Sequence, residues 1–286
     1  MGVYHQRLME EFCVAGLAEA SQRTYLHQCI SFFNHYKGIP ANKIEESQVR
    51  EWLMLLRQRE LSDSTINVAK NALLFFFTKV LDRPLWKIFR EFKIEQPRKC
   101  TVILSRNEVW RILNQVYLYQ YRTPIYMLYV CGLRINECIN LQVRDIHKDE
   151  KRIHIREGKG KIDRYVPIAD KALDNLRRHW SRHKNPKYLF PRNNRPEETI
   201  LADTLRKALK SAVVKAKIRK EDVVPHTLRH SYATHLLEMG VPIEHLREFL
   251  GHKDVNTTQR YTHITPNGYA HTQIQINSLV DDEYEC

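Results

Sequence analysis

The chain has 286 residues and carries 46 Lys and Arg against 33 Asp and Glu, a formal net charge of +13. An apolar fraction of 43% supports a packed core and excludes a disordered chain, the length suits one large domain or two, and the basic excess points to a polyanionic partner. No run approaches the roughly 18 apolar residues of a spanning helix, Glu10 and Glu11 precede any apolar stretch, and Gln6 stands where N-myristoylation wants Ser or Thr, so the expectation is a cytoplasmic protein without membrane attachment.

Residues 1–96 read as helical throughout. Tyr25, Cys29, Phe32 and Phe33 recur at helical spacing behind Ser21, which can cap that helix, and Lys37-Gly38-Ile39-Pro40 breaks it. A second helix is expected from Ser47 with Val49, Trp52, Leu53 and Leu56 inward. A third opens at Leu61-Ser62-Asp63-Ser64, with Ile66, Ala69, Leu73, Phe76 and Val80 as its stripe. Short connections between such helices predict a bundle. Arg23, Arg57 and Lys70 on these helices read first as solvated surface charges. Around residues 93–103 the sequence turns basic, contains Pro97 and loses its apolar period. The boundaries are therefore set at 1–96 for a helical domain, 97–103 for a linker and 104–286 for a second domain.

Ser105 and Glu108 form a capping box for a helix with Val109, Ile112, Leu113 and Val116 inward. A helix of about Thr123 to Cys131 should end at Gly132, with Arg134 just past the turn and a short amphipathic helix after it. Arg152–Glu157 and Ile162–Ile168 read as two strands joined by Gly158-Lys159-Gly160-Lys161, a half-buried hairpin with two lysines at its tip. Helices are expected over 171–187 and, strongly basic, 202–217. The six cysteines include no Cys-x-x-Cys pair. Among 14 histidines, His179 and His183 lie four apart with no ligand set to complete them. Neither a metal nor a cofactor is expected.

The stretch from Pro225 to Ile264 gathers residues that suit phosphate chemistry. A helix starting at Pro225 puts His226 and Arg229, three apart, on one face. Ala233, Leu236 and Leu237 continue its stripe to Gly240, and a short helix with Ile243, Leu246, Phe249 and Leu250 inward ends at Gly251, leaving His252 on the turn. Val255–Tyr261 reads as one or two further helical turns.

This order, His226-Thr227-Leu228-Arg229-His230, then Leu250-Gly251-His252, then Tyr261 in Arg260-Tyr261-Thr262-His263, resembles the active-site signature of the tyrosine recombinases, the phage-integrase and Xer-like group. Gly132-Leu133-Arg134 resembles that family's first arginine motif, with Asn136 where Ser or Thr is usual and Val143 where Trp is common. Lys159 in Gly-Lys-Gly matches the family's hairpin lysine, with Lys161 as the alternative. Ser21–Tyr25 is similar to the opening of the family's N-terminal core-binding domain.

The resemblance implies a mainly α fold with a small antiparallel β-sheet, in which a helical core-binding, SAM-like DNA-binding domain precedes an α+β catalytic domain. It implies a site-specific DNA recombinase or integrase that cleaves and rejoins double-stranded DNA through a 3′-phosphotyrosyl intermediate, with no nucleotide. Tyr261 would be the nucleophile, Arg134 and Arg229 the clamp on the non-bridging oxygens, and Lys159 the general acid. His226 would serve as base or proton shuttle and His252 would bond the scissile phosphate, with Glu137 and His230 as supports. A homotetramer is implied in the synaptic complex, and the acidic tail is expected to pack on a neighbouring protomer. The rivals are a non-catalytic helix-turn-helix regulator built on 234–250 and a type IB topoisomerase-like enzyme.

Overall fold

In the computed structural model, which describes residues 2–94, 102–156, 163–251 and 274–279, the chain adopts the expected class: helices dominate and the sheets are small and antiparallel. It divides into two units, Met1–Lys99 and Cys100–Cys286. Of the linker expected at 97–103, residues 97–101 lie outside the described residues.

The first unit packs α1 (Gly2–Val14), α2 (Glu19–His35), α3 (Glu46–Gln58), α4 (Asp63–Phe75) and α5 (Lys87–Glu91) around an aromatic core. Phe32 is its hub, with Phe33, Trp52 and Phe77 within 6.1 Å between ring centroids. Ser62 caps α4 as expected, accepting from Thr65 N–H at 3.3 Å. Every residue of the expected third stripe, Ile66, Ala69, Leu73, Phe76 and Val80, is buried. Past Phe75 the chain widens into a π-turn, Phe76–Val80, in which Phe76, Phe77 and Val80 are all buried. Two starts differ from the sequence reading. Helix α2 begins at Glu19, because Gln22 Nε2 folds back to Leu17 O at 2.7 Å and leaves Ser21 inside the helix. Helix α3 begins at Glu46, because Glu45 N–H is taken by Gln48 Oε1 at 2.7 Å, ahead of Ser47.

In the second unit, α6 (Arg106–Asn114) opens on the expected box, with Ser105 Oγ accepting from Glu108 N–H and Glu108 Oε2 accepting from Ser105 N–H. Helix α7 (Tyr119–Val130) is the core helix, buried from Thr123 to Val130. It packs on α11 (Pro225–Glu238), on α9 (Asp170–His183), on the short α8 (Ile135–Ile139) and on α10 (Ala202–Lys215). Strands β1 (Ile146–His147), β2 (Arg152–Ile155) and β3 (Arg164–Pro167) form the antiparallel sheet, with Ile153 paired to Val166 and Ile155 to Arg164. A second hairpin, β4 (Pro191–Arg192) and β5 (Arg195–Thr199), was not readable from alternation, since β5 is largely polar and exposed.

Helix α11 ends in a Schellman turn: Gly240, at φ +85°, donates to Leu237 O at 2.9 Å and Val241 N–H reaches Leu236 O at 2.9 Å. Helix α12 (Ile243–Leu250) follows, burying Leu246, Phe249 and Leu250, and Gly251 caps it at φ +60°. Ile243, expected inward, is exposed because it stands at the first turn, before the helix meets the core. Residues 274–279 are helical and bury Ile276 and Leu279 in this unit's own core. No helix among the described residues is long and apolar enough to cross a membrane.

Candidate active site

The site begins at a turn that admits only glycine. Gly132 stands at φ +57°, and a β-carbon there would lie 2.4 Å from Tyr232 Cδ1 and 2.9 Å from Leu250 Cδ2. The missing side chain lets the α7–α8 turn close on both α11 and α12. That turn delivers Arg134 as the N-cap of α8 and Glu137 one turn into it. Glu137 bonds back twice: Oε2 accepts Arg134 N–H at 2.8 Å and Oε1 accepts Arg134 Nη1 at 2.7 Å.

Two further guanidiniums reach the same carboxylate. Arg164, at the start of β3, donates Nη1 to Glu137 Oε1 at 3.0 Å and Nη2 to Glu137 Oε2 at 2.7 Å, the parallel fork that lysine cannot copy. Arg229 Nη1 lies 3.8 Å from Glu137 Oε2 and donates to Gly132 O at 2.7 Å.

These arginines also close the end of α12. Phe249 O accepts Arg164 Nε at 2.7 Å, Leu250 O accepts Arg229 Nη2, and Gly251 O accepts Arg134 Nη2 at 3.2 Å. Three successive carbonyls, which a helix C-terminus leaves without intrahelical partners and at negative potential, each take a different cation.

Burial sharpens the electrostatics. Desolvation pushes the Glu137 carboxyl up, but its bonds to Arg164 and then Arg134 outweigh it and hold the pKa at about 2. Arg229, whose side chain is 2% exposed, is lowered to about 9 by desolvation, then by Arg134 and Arg164, with Glu137 opposing. It therefore remains protonated at neutral pH. The Glu137 charge is shared among Arg134, Arg164 and Arg229, so the cluster keeps a cationic surplus suited to an anionic ligand.

Of the residues expected from the sequence, the fold brings Arg134 and Arg229 together around Glu137. His226 stands at the N-terminal turn of α11 and is exposed, whereas Arg229 turns inward to Gly132 and Leu250. His226 and His230 meet edge to face at 4.6 Å. Burial, then the neighbouring Arg229, depresses the His230 pKa. Lys159, Lys161, His252 and Tyr261 lie outside the described residues. The residues that flank 157–162 are anchored: Arg156 Nε donates to buried Asp145 at 2.5 Å before that segment, and Arg164 holds Glu137 after it. The chain leaves Gly251 directly into His252.

Arg164 was missed by the sequence reading, although a signal existed. In the run Ile162–Ile168 it occupies the apolar parity with Ile162, Val166 and Ile168, a charge where the alternation puts the core face.

Comparison with known proteins gives the family. Residues 103–267 match the model of the phage integrase family, and residues 5–87 match that of the phage integrase N-terminal SAM-like domain. A tyrosine recombinase of Thermosipho africanus is 34% identical over 244 residues, covering 81% of this chain and 84% of that protein. The tyrosine recombinase XerD of Oceanobacillus iheyensis is 31% identical over 269 residues, covering 87% and 89%. A lambda integrase tetramer bound to a Holliday junction shares the fold, with a TM-score of 0.72 at 13% identity over 100% of this chain and 79% of that one. With its signature residues in order and its arginines gathered at the end of α12, the chain belongs to the phage integrase family and is a tyrosine-type site-specific DNA recombinase.

Proposed function

We propose that the chain cleaves and rejoins duplex DNA at the Arg134–Arg229 cluster, with Tyr261 as nucleophile. The observation that carries this reading is the convergence of both arginines on the last carbonyls of α12, one residue before His252. A guanidinium has five N–H groups, so these carbonyl bonds do not exhaust either side chain.

The Tyr261 phenol, with a pKa of about 10, is mostly neutral at pH 7, and a cationic site favours the phenolate as attack proceeds. Tyr261 Oη forms the bond to phosphorus as the bond to the 5′ oxygen breaks. Arg134 and Arg229 offset the charge that builds on the non-bridging oxygens. Lys159 gives its proton to the departing 5′ oxygen, His226 moves the phenol proton, and His252 bonds the phosphate. The 3′-phosphotyrosyl link conserves the energy of the diester, so rejoining to another strand needs no nucleotide.

In this reading residues 1–96 are the core-binding domain, 97–103 the linker and 104–286 the catalytic domain, and the working assembly on two DNA sites is a homotetramer. The +13 charge supports a duplex DNA partner. Neither the helix-turn-helix regulator nor the topoisomerase is favoured, since the relatives at 34% and 31% identity carry recombinase names.

The test is covalent trapping on a nicked suicide duplex carrying a candidate core site. Wild type should form a protein–DNA adduct stable on a denaturing gel, and Tyr261→Phe should form none. An adduct that persists in the variant moves the nucleophile elsewhere, and none from either protein on a duplex both bind overturns the reading.

A further inference from the structure

The geometry points to Arg164 as a positioning residue for cleavage, one that acts through Glu137 and the end of α12 and touches no DNA. This rests on the site reading above, in which Arg134 and Arg229 hold the phosphate.

Three observations separate Arg164 from a surface cation. Its side chain is 6% exposed, so it is withdrawn from any ligand at the surface. Its Nε, Nη1 and Nη2 each donate inside the protein, two to the Glu137 carboxylate and one to Phe249 O. It also stands on β3, five positions after Lys159 in the sequence, paired across the sheet with Ile155. One side chain thus joins Glu137 on α8, the end of α12 before His252, and strand β3.

Gly251 adds a contact to this junction. A β-carbon there would meet Arg164 Cδ at 3.1 Å and Nε at 3.3 Å, so the glycine that caps α12 also makes room for the guanidinium.

The electrostatic consequence concerns Arg134. With Arg164 present, both Glu137 oxygens are shared, and Arg134 is left with charge to offer a phosphate. Without Arg164, the carboxylate falls to Arg134 alone, with Arg229 at 3.8 Å, and would draw Arg134 inward and neutralise it. The end of α12 would at the same moment lose a donor. Misplacing reactive groups by about 1 Å can cost on the order of 10²-fold in rate.

The experiment compares wild type, Arg164→Gln, Arg164→Lys, Glu137→Gln and the double variant Arg164→Gln/Glu137→Gln. Single-turnover cleavage of the suicide duplex at saturating protein is read beside duplex Kd and Tm. Expected is a fall in cleavage of about 10²-fold for Arg164→Gln with Kd unchanged, a partial recovery in Arg164→Lys, and a penalty under about tenfold when the same change is made in the Glu137→Gln background. The double variant removes opposite charges together and so keeps the comparison alive if the single variant folds poorly. Wild-type cleavage by Arg164→Gln overturns the inference, as does an equal penalty in both backgrounds that tracks Tm. Absence of cleavage by wild type would instead strike at the site reading itself.

Discussion

The Tyr232 ring closes directly over the α-carbon of Gly132, so that a methyl group there would stand 2.4 Å from Cδ1 and 2.7 Å from Cε1. The same glycine sits at φ +57° and lends its carbonyl to Arg229 at 2.7 Å. Gly132→Ala is therefore strained twice, by its backbone and by the buried ring it meets. A loss of about 3 kcal/mol or more is expected in urea unfolding, with cleavage lost alongside.

Arg229→Lys keeps a charge but cannot span Gly132 O and Leu250 O, which accept from different nitrogens of the same fork. Cleavage should fall by about 10² to 10³-fold, the usual cost of removing one preorganised donor, and Tm should drop. Quantifying adduct formation over time beside a thermal melt checks both.

Glu137 gives stability a signed dependence on acid. Its folded pKa of about 2 lies below the 4.5 of an ordinary glutamate, so its contribution is present above the higher value and is lost as pH falls toward the lower. Glu137→Gln should cost about 3 kcal/mol at pH 7, with the gap to wild type narrowing between pH 5 and pH 3. Urea midpoints across that range test it, and a gap independent of pH would contradict the assignment.

His179 adds to the loss of stability in acid, over a higher pH range. Desolvation between Tyr119 and Phe190, then the nearby His183 and Arg182, lowers its pKa to about 4 from 6.5. Folded and unfolded chains are both neutral at this site above about pH 6.5, and below it the unfolded chain gains a proton that the folded chain resists. Between pH 8 and pH 5 wild type should lose about 2 kcal/mol that His179→Phe retains. The phenylalanine also removes a buried Nδ1 with no hydrogen-bond partner.

Much of this was legible wherever a local rule decided the outcome. Ser62, Ser105 with Glu108, Gly240 and Gly251 each satisfy or terminate a helix end using neighbours within a few residues, and each does so in the structure. The motif order told which residues to watch, and Arg134 and Arg229 do meet, although 95 positions apart no spacing rule could place them. The boundaries at Ser21 and Ser47 failed because nearby glutamines, Gln22 and Gln48, competed for the same turn. Arg164 escaped notice because its partners, Glu137 and Phe249, come from a helix before it and a helix after it.

The carbonyls of Phe249, Leu250 and Gly251 hold Arg164, Arg229 and Arg134 through hydrogen bonds within the protein. Gathering like charges at close range opposes folding, and here a helix terminus and one carboxylate offset that repulsion as the chain folds. The work of dehydrating and aligning these guanidiniums is thus completed during folding. In the proposed reaction a scissile phosphate would meet dipoles already oriented, and its binding energy would remain for straining the diester.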